Sequence, residues 1–362
     1  MFKKKKIVVA MSGGVDSSTV AAMLVDQGHE VIGITLQLYD INKVGVKRGT
    51  CCAGIDIYDA KRVASKLNIP HYVLNYESKF KQAVIDDFAD TYLKGETPIP
   101  CVKCNQTVKF SDLYKMAQDL GADSLATGHY VKKVEGENGP ELHTGLDPKK
   151  DQSYFMFVIT KDQLGYLEFP LGGYSKEETR NLARKYGLDI ADKPDSQDIC
   201  FVPDGNYAKI IEKFRPGALD KGNIVNTDGK ILGTHDGIIN FTIGQRRGLG
   251  ISGAAPYYVI KINPEDNSVV VGPEEKLKKK EFYIRDSNWL VGGIASDRPF
   301  EAQVKIRSTH APKDATISID QDLGAYKVTL ADAQKSITPG QACVVYSGSK
   351  VIGGGWISPV RQ

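Results

Sequence analysis

The chain has 362 residues, 41% apolar and 25% charged, with a formal net charge of +3. That length exceeds one ordinary hydrophobic core and implies two or three domains. No apolar run approaches the roughly 18 residues of a membrane span. The apolar stretch after lysines 3 to 6 is too short for a secretory signal, so a soluble cytoplasmic protein without a membrane partner is expected.

Residues 7–11 read as an apolar strand, followed by a glycine turn and a helical pattern from Ser18 onward. A second strand is expected at 31–38, a helix at 58–67 and a third strand at 71–74. Helices follow at 80–93 and 111–120, a fourth strand at 124–127, and a helix at 177–186 that Gly187 stops. This alternation predicts an α/β fold, a doubly wound parallel sheet over residues 1–206. Beyond it, short alternating segments at 257–262, 268–271, 303–306, 316–319, 327–330 and 342–346 predict an all-β region that ends in a small barrel. Residues 276–281 divide a small central domain, 207–281, from a C-terminal barrel, 282–362. The run Gly353-Gly354-Gly355 suits a bulge or close backbone approach in the last strand. Charge shifts with fold: residues 1–206 carry 26 Lys+Arg against 28 Asp+Glu, and the remainder 21 against 16, including Arg246-Arg247. A mildly basic second part is compatible with RNA and equally with a solvated surface.

The turn Ser12-Gly13-Gly14-Val15-Asp16-Ser17 joins a strand to a helix N-terminus, an arrangement that aims backbone N–H groups at an anion. It lacks the lysine of the common phosphate loop, so γ-phosphoryl transfer is not expected. It resembles the pyrophosphate loop of enzymes that split ATP between its α- and β-phosphates. Leu36 and Thr127-Gly128-His129 also follow strands and are expected at the same nucleotide pocket.

Six cysteines in a reducing compartment point to catalysis, metal binding or burial rather than a disulfide framework. Cys104, in Pro100-Cys101-Val102-Lys103-Cys104-Asn105, and Cys200, after Pro194, are expected on loops. Lys103, Lys109 and Lys193 are the cations near enough in sequence to lower their pKa values. Two such thiols can exchange sulfur and close a disulfide. Cys51-Cys52 have weaker claims, and Cys343 reads as a buried structural thiol. The Cys101-x-x-Cys104 spacing leaves two metal readings open: an iron–sulfur cluster with Cys200, or zinc with Cys51-Cys52. A non-catalytic RNA-binding protein and a carbonyl-amidating pyrophosphatase are also compatible with these motifs.

Residues 10–17, 98–110, 126–130, 150–154, 195–201 and 241–249 together resemble the tRNA-specific 2-thiouridylases, in that family's motif order. The resemblance implies ATP-dependent sulfur transfer to C2 of the wobble uridine of lysine, glutamate and glutamine tRNAs, yielding 2-thiouridine, AMP and pyrophosphate. It places ATP on Ala10, Met11, Ser12, Gly13, Gly14, Val15, Asp16, Ser17, Leu36 and Gly128, with Mg²⁺ as a companion that Asp16 could orient. It makes Cys200 the persulfide carrier and Cys104 the nucleophile that resolves it, through a transient Cys104–Cys200 disulfide. It assigns tRNA contacts to Ile99, Pro100, Cys101, His129, Lys150, Asp151, Gln152, Arg307, Ser308 and Gln341. A persulfide-carrying donor, such as a cysteine desulfurase or sulfur-relay protein, is the implied protein partner. One departure stands out: many members carry aspartate where this chain has Cys101, which leaves the proton-transfer group unassigned.

Overall fold

A computed structural model describes residues 3–39, 54–195, 199–202, 205–253, 255–292 and 298–358. Cys51 and Cys52 lie outside the described residues, as do residues 196–198 of the second cysteine motif. The chain divides into two compact units. One comprises Met1–Val84, Cys101–Gly205 and Ser349–Val351; the other comprises Ile85–Pro100, Asn206–Gly348 and Ile352–Gln362. Among the described residues no helix is long and apolar enough to cross a membrane.

The first unit is built on a five-stranded parallel sheet in the spatial order His71–Asn75, Glu30–Gln37, Lys6–Ala10, Ser124–Ala126, Leu167–Glu168. Lys6–Ala10 is central, and its Ile7, Val8 and Val9 are all buried. A continuous apolar run is what a strand covered on both faces requires. Helices Val15–Asp26, Gly54–Lys66 and Lys176–Lys185 supply Val20, Met23, Leu24, Val63, Ala64 and Ala183 to the core with Ile7, Val9 and Val31. The last of these helices starts at a reciprocal cap between Ser175 and Glu178. The expected alternation of strands and helices is therefore observed.

Three features depart from expectation. The sheet has a fifth, two-residue strand, Leu167–Glu168, where only four strands were expected. Strands Val131–Gly136 and Gly139–Thr144 form an antiparallel hairpin that the charged, weakly alternating sequence there conceals. The segment expected as a loop around Cys101 and Cys104 is helical instead. Pro100–Cys104 forms one helical turn and continues through Asn105–Leu113, which has i→i+5 bonding, into Tyr114–Asp119. Pro100 opens this run at a position where its missing N–H costs nothing, so it starts the helix rather than breaking it.

The second unit is mostly β. Strands Tyr258–Asn263, Ser268–Gly272, Lys221–Asn226 and Ile231–Asp236 form a four-stranded sheet, with only the middle pair parallel. Ile224, Phe241, Val259, Val269 and Val271 fill its core. Strands Lys279–Trp289, Ala325–Gln334, Lys313–Asp320, Phe300–Lys305, Ala342–Ser347 and Lys350–Ser358 follow one another in an antiparallel barrel. It closes where the last strand pairs with the first. The register shifts at that seam between Arg285 and Asn288, and a Cβ on Gly353 would fall 2.3 Å from the Asn288 carbonyl oxygen. The glycine run thus meets the expected close approach and bulge. Cys343 is wholly buried in this barrel, and burial raises its thiol pKa, as expected of a structural cysteine.

Candidate nucleotide and sulfur-transfer site

The turn after the central strand lies beside the strand that ends at Ala126, where connections depart to opposite sides of the sheet. In open α/β sheets that switch point is where ligands bind. Gly13 has φ +74°, a conformation that glycine adopts without strain. A Cβ there would fall 2.0 Å from the Asp56 carbonyl oxygen, so the turn lies against the N-terminus of Gly54–Lys66. The turn is internally braced: Ser12 N–H donates to Ser17 Oγ at 3.0 Å, the two hydroxyls lie 3.2 Å apart, and Ser17 Oγ donates to the Gly14 carbonyl at 3.3 Å. Met11 is fixed to the second strand, donating to Ile34 and accepting from the Thr35 hydroxyl at 2.8 Å each. Ala10 ends its strand and Leu36 lies one residue before the end of the neighbouring one, both half-buried. Gly128 closes the group, because a Cβ on it would stand 2.9 Å from Ser17 N and 3.0 Å from Asp16 Cβ. The ten residues expected at ATP therefore belong to one end of one sheet.

Asp16 is not free in this geometry. Lys176 Nζ donates to both its oxygens, at 2.7 and 2.9 Å, and the Tyr130 hydroxyl donates to one at 2.7 Å. Lys176 also pairs with Asp195 at 2.8 Å, and Asp195 receives Lys150 at 2.7 Å and Arg180 at 2.9 Å. Burial alone would raise the Asp195 carboxyl, but the bonds from Lys150 and Lys176 outweigh it and hold the pKa down at about 2. Sequence reasoning missed Lys176 and Tyr130. One signal was present: a lysine directly after a helix cap opposes the helix dipole and needs an acidic partner.

The three cations expected near the thiols separate. Lys193 is committed to the glycine turn, donating to the Gly13 carbonyl at 3.0 Å, Asp56 at 2.5 Å and Asp59 at 2.6 Å. Lys109 is the lysine whose charge acts on Cys104 and Cys200. Cys104 is buried on its helix, where burial raises its thiol pKa; Lys109 opposes the rise and Cys101 adds to it. The next residue, Asn105, anchors the helix by donating to the Phe155 carbonyl at 3.1 Å.

Cys200 lies in a turn, its carbonyl held by the Tyr39 hydroxyl at 2.5 Å and its neighbour Phe201 edge-on against Phe80. The residue retains solvent access, yet protein atoms crowd its sulfur. That crowding pushes the thiol up to about 12, with Cys104 and Cys101 raising it further and Lys109 opposing. Cys101, Cys104, Cys200 and Lys109 thus form one electrostatic cluster. Among the described residues no three His, Cys, Asp or Glu side chains are arranged to hold a metal ion.

The residues expected at tRNA divide between the units. In the first, His129 is pushed down to about 3 by burial and then by Lys109, and its Nδ1 lies 2.9 Å from the Thr127 hydroxyl. Asp151 accepts from the Gly145 and Ser153 amides, and Gln152 accepts from the Tyr130 amide; both therefore also shape the backbone. In the second, Ile99 and Pro100 follow Thr97, which bonds to Pro339 and accepts from the Gln341 side chain at 3.1 Å. Arg307 reaches the Thr338 hydroxyl at 3.3 Å, and Gln341 N–H donates to the Thr338 carbonyl at 3.2 Å. Ile99, Pro100, Arg307 and Gln341 are thereby gathered around one short segment; Ser308 follows Arg307 at a half-buried turn.

The chain is similar to known proteins along its length. Residues 5–204 match the model of a tRNA methyl transferase HUP domain, residues 209–273 a tRNA methyl transferase PRC-barrel domain, and residues 279–357 an aminomethyltransferase beta-barrel domain. A tRNA-specific 2-thiouridylase from Rickettsia felis is 63% identical over 98% of this chain and 97% of its own length. The Rickettsia bellii counterpart is 61% identical over the same shares. A solved 4-thiouridine synthetase–RNA complex with bound ATP aligns with 59% of this chain and 51% of that chain, at 19% identity and a TM-score of 0.37.

Proposed function

The chain belongs to the tRNA-specific 2-thiouridylase family, and from that membership we propose that it replaces O2 of a tRNA wobble uridine with sulfur while splitting ATP into AMP and pyrophosphate. The observation that carries this reading is that two cysteines within electrostatic reach of each other share a compact unit with a braced glycine loop at the sheet's switch point.

In the first step, uridine O2 attacks the α-phosphate, pyrophosphate leaves and C2 becomes electrophilic. A base can reach such a pocket only when flipped out of its stack. The loop amides and the helix N-terminus at Val15 stabilise the phosphates. Mg²⁺ would draw most of its ligands from ATP and water, with Asp16 as the protein carboxylate it shares with Lys176. In the second step, the terminal sulfur of a Cys200 persulfide bonds to C2 and AMP departs with the electron pair of the C2–O bond. Cys104 thiolate then attacks Cys200 Sγ. The S–S bond breaks, its electron pair stays with the sulfur on C2, and a Cys104–Cys200 disulfide forms for an external thiol to reduce. The persulfide comes from a separate donor protein. His129, neutral near pH 7, can serve as a hydrogen-bonding group without adding charge beside the flipped base.

Within this proposal residues 1–206 form the ATP-binding catalytic domain, 207–281 the central domain, and 282–362 the tRNA-contacting barrel. Ile99, Pro100, Cys101, Lys150, Asp151, Gln152, Arg307, Ser308 and Gln341 contact tRNA. The family resemblance favours the persulfide route over an iron–sulfur cluster. The test is incubation with unmodified lysine, glutamate or glutamine tRNA, ATP and a persulfide donor, followed by mass spectrometry of the wobble nucleoside. ATP-dependent 2-thiouridine is expected; a methylated nucleoside, or thiolation without ATP, would overturn the reading.

A further inference from the structure

The helix that carries Cys104 changes its winding at that residue. From Cys104 onward, through Asn105–Leu113, its bonding is i→i+5 rather than i→i+4. Such turns are rare and concentrate at functional sites. In an α-helix, residue 108 would close the turn onto residue 104, and residue 109 would point well to one side. The wider turn instead closes the backbone of residue 109 onto that of residue 104, so that Lys109 starts one turn above Cys104. The Thr107 hydroxyl donates to the Lys103 carbonyl at 2.7 Å and so occupies an acceptor beside the changed winding. The next residue, Phe110, packs its ring 5.7 Å from that of His129 and fixes the helix face toward the strand end that carries Gly128.

We propose that Lys109, brought one turn above Cys104 by this wide winding, is a positioning residue that sets the charge state of both reacting sulfurs. The inference rests on the sulfur-transfer reading above, because the significance of the two thiols comes from it.

The groups whose charge acts on Cys104 and Cys200 are Cys101 and Lys109, both on the helical run that carries Cys104, and Lys109 acts on His129 at the strand end as well. Burial and the neighbouring sulfurs all oppose ionisation of Cys104 and Cys200, and the Lys109 ammonium works the other way at both. It also disfavours a second cation on His129. A thiol kept protonated at rest resists stray oxidation and alkylation, and the nearby ammonium is ready to stabilise the thiolate when it attacks. The same charge stabilises the persulfide anion on Cys200, whose terminal sulfur must be unprotonated to bond to C2.

The experiment is alkylation of the intact protein by iodoacetamide between about pH 7 and 9, with each cysteine followed by peptide mass spectrometry. No tRNA, ATP or sulfur donor is present, so its outcome is independent of whether the thiolation reading holds. Lys109→Met is expected to slow labelling of Cys104 and Cys200 about tenfold at every pH, a displacement of about one pH unit. Lys109→Arg should restore most of the rate. Cys343, buried in the barrel, is the internal reference: its labelling should stay unchanged, whereas general loosening would accelerate it. Lys109→Gln gives a second neutral variant should the methionine fold poorly. Unchanged rates in both neutral variants would overturn the proposal, as would an arginine variant as slow as the methionine one.

Discussion

Gly128→Ala probes the meeting of two strand-end turns, because the added methyl has one place to go. It would stand 2.9 Å from Ser17 N, 3.0 Å from Asp16 Cβ and 3.1 Å from the Asp16 carbonyl carbon, against about 3.4 Å or more for an ordinary contact. All three are main-chain or near-main-chain atoms, so no flexible side-chain end can yield. Either the nucleotide loop or the turn after Ala126 must shift by several tenths of an ångström. Overpacking of this kind costs about 1–3 kcal/mol. With ATP held as proposed, a displaced Ser17 amide also loses a charge-assisted bond to phosphate, a loss of about 1.5–3 kcal/mol, or roughly ten- to a hundredfold in ATP affinity. Urea melts and calorimetric titration with a non-hydrolysable ATP analogue read the two effects separately. Gly173→Ala is the control, since its Cβ meets nothing within 4 Å; it should stay within about 1 kcal/mol of wild type and bind the analogue normally. If Gly128→Ala melts like the control and binds within about twofold of wild type, the two turns do not form one phosphate site.

Other consequences follow from the charge network and the basic surface. Asp195 has a folded pKa near 2, below its ordinary 3.8, so its stabilisation is fully present above about pH 4 and is lost as pH falls toward about 2. Asp195→Asn should remove about 1–2 kcal/mol at pH 6 after solvent screening, with the deficit shrinking across that acid window in melts taken at successive pH values; a constant deficit down to about pH 2 would contradict the assignment. Arg246 and Arg247 are both exposed. Changing both to Gln should reduce the salt slope of tRNA binding by about one for each phosphate that is no longer neutralised, while ATP-analogue binding stays unchanged; an unaltered slope would remove them from the RNA surface.

The parallel sheet was legible because its strands and helices alternate at lengths that periodicity resolves, and strand ends alone grouped the residues expected at ATP at one end of that sheet. The glycine turn disclosed itself through Gly13, whose positive φ a residue with a side chain would resist. The loop expected around Cys104 misread Pro100: proline marks a helix start as readily as a break, and only the following residues' packing decides. The hairpin over residues 131–144 escaped notice because Lys132, Lys133, Glu135 and Glu137 blur its alternation. The Asp16–Lys176 pair joins positions 160 residues apart, and no local pattern encodes it. Likewise, sequence proximity nominated three lysines for the thiols, and three-dimensional packing diverted Lys193 to Asp56 and Asp59.

The central claim gives two identical side chains different work, and peptide mapping of the cysteines after reaction with ATP, tRNA and a persulfide donor tests it most directly. Cys200→Ser should carry no persulfide and form no 2-thiouridine. Cys104→Ser should still load sulfur on Cys200 and adenylate tRNA, then stall, because a serine hydroxyl is a far weaker nucleophile than a thiolate near neutral pH. The wild-type chain should accumulate a Cys104–Cys200 disulfide that dithiothreitol reverses. Persulfide on Cys104 and none on Cys200, or a disulfide that involves Cys101 instead, would contradict the account.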